Sequence, residues 1–205
     1  MGDFIRIGSG EVNPETSVKN INKHVLLTPY QMKLNKLGAL FLFTSQGIVM
    51  MGAGQEFAGS KVIYNQLGIH DPDKGKMDHN SYNKDNETNY INYKHAELNK
   101  ELVDYYKGLI EMRKDFEAFR RAEYDDITFS EHPQSEFGLS YLLKFKDERF
   151  VVLFNADQSI DLEFDLPEGE WNVIVDKNSA GIKTLYKAEG KFTSEPVTGA
   201  VLKLK

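Results

Sequence analysis

The sequence contains no cysteine. That excludes disulfides and thiolate-held metal sites and leaves the redox compartment open. Positive charge is in short supply as well: 25 Lys and Arg against 31 Asp and Glu give a net charge of −6. A nucleic-acid partner is not expected, because phosphate binding needs clustered basic residues. Long apolar runs are absent too. The longest, Leu37 to Ala53, is cut by Thr44-Ser45-Gln46-Gly47, so no membrane span is expected. The opening residues Gly2-Asp3-Phe4-Ile5-Arg6-Ile7 are too short and too polar an apolar stretch for a secretory leader. No internal repeat, low-complexity segment or cofactor motif is visible. What is there, 205 residues that are 40% apolar and 27% charged, fits a globular chain of one or two domains.

Residues 1–28, punctuated by Gly8, Gly10 and Pro14, read as irregular. After Pro29, the good helix formers of Gln31–Phe43 place Leu34, Leu37, Leu40 and Phe41 at helical spacing. Ile48-Val49-Met50-Met51 is apolar without alternation and bounded by glycines, which predicts a strand covered on both faces. Ala96–Phe119 predicts a long helix, with Leu98, Leu102, Tyr105, Tyr106, Leu109, Ile110 and Met112 on its buried face. Beyond Arg121, strands are predicted over Asp126–Ser130, Gly138–Phe145, Arg149–Asn155, Asp161–Asp165, Trp171–Val175, Thr184–Lys187 and Val201–Leu204. Such short strands between turn signals imply an antiparallel sandwich. The composition shift divides the chain into residues 1–120, α/β in character, and residues 121–205, all β.

Between Phe57 and Tyr93 lies a connection too long for an ordinary loop. Its later part, from His79 to Tyr93, combines amides, carboxylates and aromatic rings. Amides and carboxylates bond hydroxyls, and aromatic faces stack on the apolar faces of sugar rings, so the loop suits a polyhydroxylated ligand. Asp71-Pro72-Asp73-Lys74-Gly75 has an acidic spacing, but Gly75 and Lys76 stand where a calcium loop needs a ligand and a glycine. It reads as a turn, and no metal site is expected.

Three linked motifs carry a resemblance. They are Ser45-Gln46-Gly47-Ile48 with Gly54-Gln55-Glu56-Phe57; Asn80-Ser81-Tyr82-Asn83 with Asp85-Asn86-Glu87; and Leu109-Ile110-Glu111-Met112-Arg113-Lys114 with Ala118-Phe119-Arg120. In this order they resemble the C-terminal part of the α-amylase superfamily of glycoside hydrolases, in its pullulanase and isoamylase (α-1,6 debranching) branch. The resemblance implies an α+β fragment: the last βα elements of a (β/α)8 barrel in residues 1–120, followed by a C-terminal antiparallel β-sandwich in residues 121–205. It also implies a retaining parent enzyme, which uses one carboxylate as nucleophile and a second carboxylic acid as proton donor. No position here matches the family's catalytic carboxylates, so no catalytic residue is assigned and the chain alone is expected to be inactive.

By the same resemblance Asn80, Tyr82, Asp85 and Asn86 are the substrate-binding candidates. Asp85 and Asn86 bond glucose hydroxyls or form turns, and Tyr82 stacks on a sugar or packs the loop. Glu56 ends the strand-eight equivalent, on the face where barrel active sites sit, and the resemblance gives it a structural role. The implied partner of the parent is an α-glucan: pullulan, amylopectin or glycogen branches. Self-association of the fragment stays open, since Ile48–Met51 would expose apolar surface. The competing reading is a non-catalytic carbohydrate-binding or structural β-sandwich protein, which an exposed row of aromatics on one sheet face would favour.

Overall fold

The computed structural model describes residues 2–65 and 70–205. Backbone contacts gather the chain into two compact units, Met1–Asn35 with Met51–Val103, and Lys36–Met50 with Asp104–Lys205. The connection expected between Phe57 and Tyr93 includes Gln66, Leu67, Gly68 and Ile69, which lie outside the described residues.

The first unit contains helices α1 (Gly2–Gly8) and α2 (Ile21–Val25), the start of α3 (Pro29–Thr44), α4 (Lys94–Leu98) and the start of α5 (Lys100–Asp115). Two helices therefore occupy the stretch expected to be irregular. Periodicity missed α1 because its buried anchor is a cation: Arg6 is fully buried while Phe4 is exposed. The start of α3 is a capping box. Thr28 Oγ1 accepts the Gln31 N–H (3.2 Å) and Gln31 Oε1 accepts the Thr28 N–H (3.3 Å). Pro29 occupies the first helical position, where its missing N–H costs nothing.

In place of one long helix over Ala96–Phe119 there are three: α4, α5 and α6 (Ala118–Arg121). The first break falls at Asn99, whose buried side chain donates to Val25 O (2.8 Å) and Phe57 O (2.9 Å). At the second, the Glu148 carboxylate accepts the Ala118 N–H (2.8 Å) and so caps α6. Leu102, Tyr105, Tyr106, Leu109 and Met112 are buried as the spacing implies, whereas Leu98 and Ile110 are exposed.

The second unit is built on two antiparallel sheets. Six strands run in the order β1 (Ile127–His132), β2 (Ser135–Phe145), β3 (Glu148–Asn155), β8 (Thr198–Leu204), β5 (Trp171–Val175), β6 (Tyr186–Ala188). A second sheet pairs β4 (Leu162–Asp165) with β7 (Lys191–Ser194). Strand β7 was not predicted, because Phe192 is its one large apolar residue and only pairing with β4 specifies it. Strand β3 is buried on both faces. Val151 and Leu153 join Leu162, Phe164, Trp171, Val173 and Leu202 in a cluster shared by the two sheets. On the other face Phe150 meets Phe116 and Phe119 at ring-centroid distances of 5.0 and 4.8 Å, and Phe154 meets Phe41 at 5.6 Å. The architecture is thus α+β with an antiparallel sheet.

Ile48–Met51 is not a strand. Ile48 is 101% exposed and Met50 87%. A strand needs a neighbour for its N–H and C=O groups, and no described strand runs beside this one. What holds its start is Arg113, which donates to the carbonyls of Phe43 (2.8 Å), Ser45 (2.8 Å) and Gly47 (2.6 Å).

Candidate functional site

Within the first unit, α1, the segment around Gln55–Lys61 and the loop Thr88–Asn92 border a cleft of about 390 Å³. Its geometry begins at Arg6, which is fully buried and must find partners for its donors. It donates to His24 O (3.1 Å), Val25 O (2.7 Å), Ala58 O (2.6 Å) and Asp3 Oδ1 (3.2 Å). Desolvation lowers the Arg6 pKa from its ordinary value, while the charge and hydrogen bond of Asp3 act in the opposite sense. Ala58 sits at φ 52°, a left-handed conformation unusual for alanine. A Cβ on Gly2 would lie 2.8 Å from the Ala58 carbonyl carbon, so only glycine lets α1 approach this segment.

The same Asp3 carboxylate accepts the Lys61 backbone N–H on Oδ2 (2.8 Å). Lys61 Nζ then reaches Ser81 Oγ (3.0 Å) and Asn89 Oδ1 (2.7 Å). At the back of the cleft His95 is buried, with its Nε2 3.1 Å from Asn92 Nδ2. Burial, and then the charge of Arg6, lower the His95 pKa, so its imidazole is neutral near pH 7. His24, 3.1 Å from Ser60 Oγ, is held low by the same two causes against the opposing charge of Asp3. Burial works to raise the Asp78 carboxyl. Hydrogen bonds from Lys84 and the Asn80 N–H, with the charge of Lys84, bring it below the ordinary carboxylate value.

The four sequence candidates lie on the loop beside this cleft rather than in its lining, which takes Thr88 to Asn92 from the loop. Tyr82 is 84% exposed, and Asn80 and Asp85 are exposed as well. Asn86 is half-buried, and its Oδ1 accepts the Thr88 N–H (3.0 Å), so its carbonyl serves a turn. Glu56 leaves Oε2 buried without a hydrogen-bond partner among the described residues. Sequence reasoning missed Asp3, Arg6, Lys61 and Asn89. One signal was available: an arginine set among Phe4, Ile5 and Ile7, where a cation belongs only if it is paired.

The cleft offers amides, an ammonium, an imidazole and the Asp3 carboxylate, which is already engaged by Arg6 and Lys61. Such a set hydrogen-bonds a hydroxylated ligand but supplies no pair of free carboxylates for glycoside hydrolysis. Among the described residues no group of three or more His, Asp or Glu side chains could hold a metal ion. No described helix is long and apolar enough to cross a membrane.

No family model matches the chain. The glycogen debranching enzyme of Dickeya chrysanthemi is 28% identical over 145 residues, which cover 64% of this chain and 20% of that enzyme. The pullulanase from Bacillus acidopullulyticus superposes with a TM-score of 0.70 at 22% identity, over 86% of this chain and 21% of its own. A Group B Streptococcus pullulanase, solved in complex with maltotetraose, gives 0.70 at 21% identity, over 85% and 28%. The chain thus spans about a fifth of the length of the curated relative it matches. Fold and sequence point the same way: the chain is similar in fold to a portion of these pullulanases and in sequence to a portion of a glycogen debranching enzyme.

Proposed function

We propose that the chain is the C-terminal part of an α-glucan debranching hydrolase. In this reading residues 1–120 supply the last βα elements of a (β/α)8 barrel, and residues 121–205 form a C-terminal β-sandwich. The 145-residue match to a glycogen debranching enzyme carries the reading. The loop with Asn80, Tyr82, Asp85 and Asn86 would wall the glucose subsites, beside the polar cleft of Lys61 and Asn92. The catalytic carboxylates would belong to the rest of the enzyme, and pullulan, amylopectin or glycogen branches would be its substrates. Ile48–Met51 would complete a strand of that barrel; in the separate chain its exposed side chains are available to a second copy.

Incubation with pullulan and a reducing-sugar assay tests the reading directly. The chain by itself should release no sugar, since binding groups cannot replace a nucleophile and an acid. Turnover that follows the protein through purification would overturn this. In the full-length enzyme, Asp85→Ala should lower kcat/KM roughly tenfold to a hundredfold with little change in Tm. Retained activity with reduced stability would make Asp85 a turn former instead.

A carbohydrate-binding role for the sheet draws on exposed Phe41, Tyr124 and Phe129 around a groove of about 380 Å³. Three of the groove's four hydroxyls are already spent, however. Tyr141 donates to Thr44 O (2.9 Å), Thr44 to Leu40 O (2.8 Å) and Ser45 to Phe41 O (2.7 Å). Aromatic rings with few free polar partners make a poor sugar site.

A further inference from the structure

The hydrogen bonds beside the cleft converge on one side chain. Asn89 Nδ2 donates to the carbonyls of Ser81 (2.6 Å) and Lys84 (2.5 Å). Its Oδ1 accepts from Ser81 Oγ (2.7 Å) and from Lys61 Nζ (2.7 Å). An amide side chain has two N–H donors and two acceptor lone pairs, so these four bonds use its whole capacity. They reach back across the loop to Ser81 and Lys84 and enclose Asp85 and Asn86 in the closed stretch. Apolar packing gives this stretch little support, since Tyr82 points to solvent and its buried members are Ser81 and Thr88. The tie continues inward through the Lys61 N–H to Asp3, and from Asp3 to the buried Arg6.

We propose that Asn89 is the positioning residue of the glucan-contact loop: it holds Ser81–Asn89, with Asp85 and Asn86, in one conformation before any ligand arrives. The functional half of this inference rests on the loop being a glucan subsite. The mechanical half rests on the bonds alone. Preorganising a polar loop spares the ligand the entropy of ordering it, so the benefit appears as affinity. No common substitute matches Asn89. Aspartate keeps the shape and both acceptors but has no donor for Ser81 O and Lys84 O, and alanine keeps neither. Lys61 is less demanding, because an arginine fork can also reach two oxygens.

The test uses the whole chain as wild type, Asn89→Asp and Lys61→Arg, with amide hydrogen exchange, thermal unfolding and a maltotriose titration on each. In Asn89→Asp, exchange at the Lys84 and Asn89 amides, which bond Ser81 O and Asn86 O, should rise roughly ten- to a hundredfold. Amides of β3 and β8 should stay unchanged, and maltotriose affinity should fall in proportion. Lys61→Arg should keep the loop protection. Unchanged loop exchange in Asn89→Asp overturns the inference, and so does a loosened loop that binds maltotriose as wild type does. If Asn89→Asp fails to fold, Ser81→Ala replaces it: it removes one of the four bonds and should give a smaller rise in the same amides. A wild-type chain that binds no maltotriose sinks the glucan reading of the loop, and exchange then decides alone whether Asn89 holds it.

Discussion

Met1–Asn35 with Met51–Val103, and Lys36–Met50 with Asp104–Lys205, bury their largest side chains for different reasons. At the centre of the first unit sit a guanidinium and an amide. Arg6 is tied to His24, Val25 and Ala58 carbonyls, and Asn99 to those of Val25 and Phe57. At the centre of the second sit Trp171, Phe150, Leu143, Leu153 and Leu162, all essentially without solvent contact. Polar clamps fix loops that have no regular secondary structure to satisfy their carbonyls. They are unforgiving, because losing one partner strands the others in a dry environment. An apolar core loses stability in graded steps, set by the volume removed.

The largest effect should come from the clamp. Arg6→Met leaves the carbonyls of His24, Val25 and Ala58 and the Asp3 carboxylate short of a donor, at a cost of about 3–5 kcal/mol. Amide exchange should show the first unit opening while the β3–β8 ladder stays protected. Opening of both units together would break the contrast. Leu153→Ala, in the cluster between the two sheets, should cost about 2–5 kcal/mol by denaturant titration. Its loss of protection should centre on the sheets rather than on the loop at Asn89.

Gly108→Ala is the next step down. An added Cβ would lie 1.9 Å from the Ala180 carbonyl oxygen, so α5 and the turn at Ala180 must part, for about 1–3 kcal/mol. A wild-type Tm would mean that this turn yields freely.

The smallest effect distinguishes the units by pH. His24 and His95 in the first unit are held below the ordinary imidazole value by burial and by the charge of Arg6, with Asp3 opposing at His24. Below about pH 6.5 the unfolded chain therefore takes up protons that the folded unit refuses. Stability then rises with pH through this window and is lost as pH falls from 7 toward 5. His24→Gln with His95→Gln should flatten the slope for the first unit. A slope that survives both substitutions would locate the titration elsewhere.

Strands β2, β3 and β5 were legible because their information is local. Alternating or continuous apolar runs between Lys146-Asp147, Ala156-Asp157 and Pro167-Glu168-Gly169 set both register and ends. The same holds for the core positions Tyr105 and Tyr106, which are buried as expected. The candidate site was only half legible. A loop rich in amides and aromatics stood out, but nothing in the sequence separates Asn89, with four hydrogen bonds, from Asn80 or Asn83 close by. Which amide becomes the tie depends on Lys61 and Asp3, which are distant in the chain.

By itself, then, the sequence determined the antiparallel strands, the amphipathic face of α5 and the family resemblance, since each is written in residue type at short spacing. Tertiary structure decided the fate of Ile48–Met51, apolar enough for a buried strand yet exposed, because a strand exists only where a neighbour takes its hydrogen bonds. It also decided that a cation at Arg6 would anchor the first unit. Whether a charge is a cost or a clamp depends on the carbonyls and carboxylate that the rest of the fold brings to it.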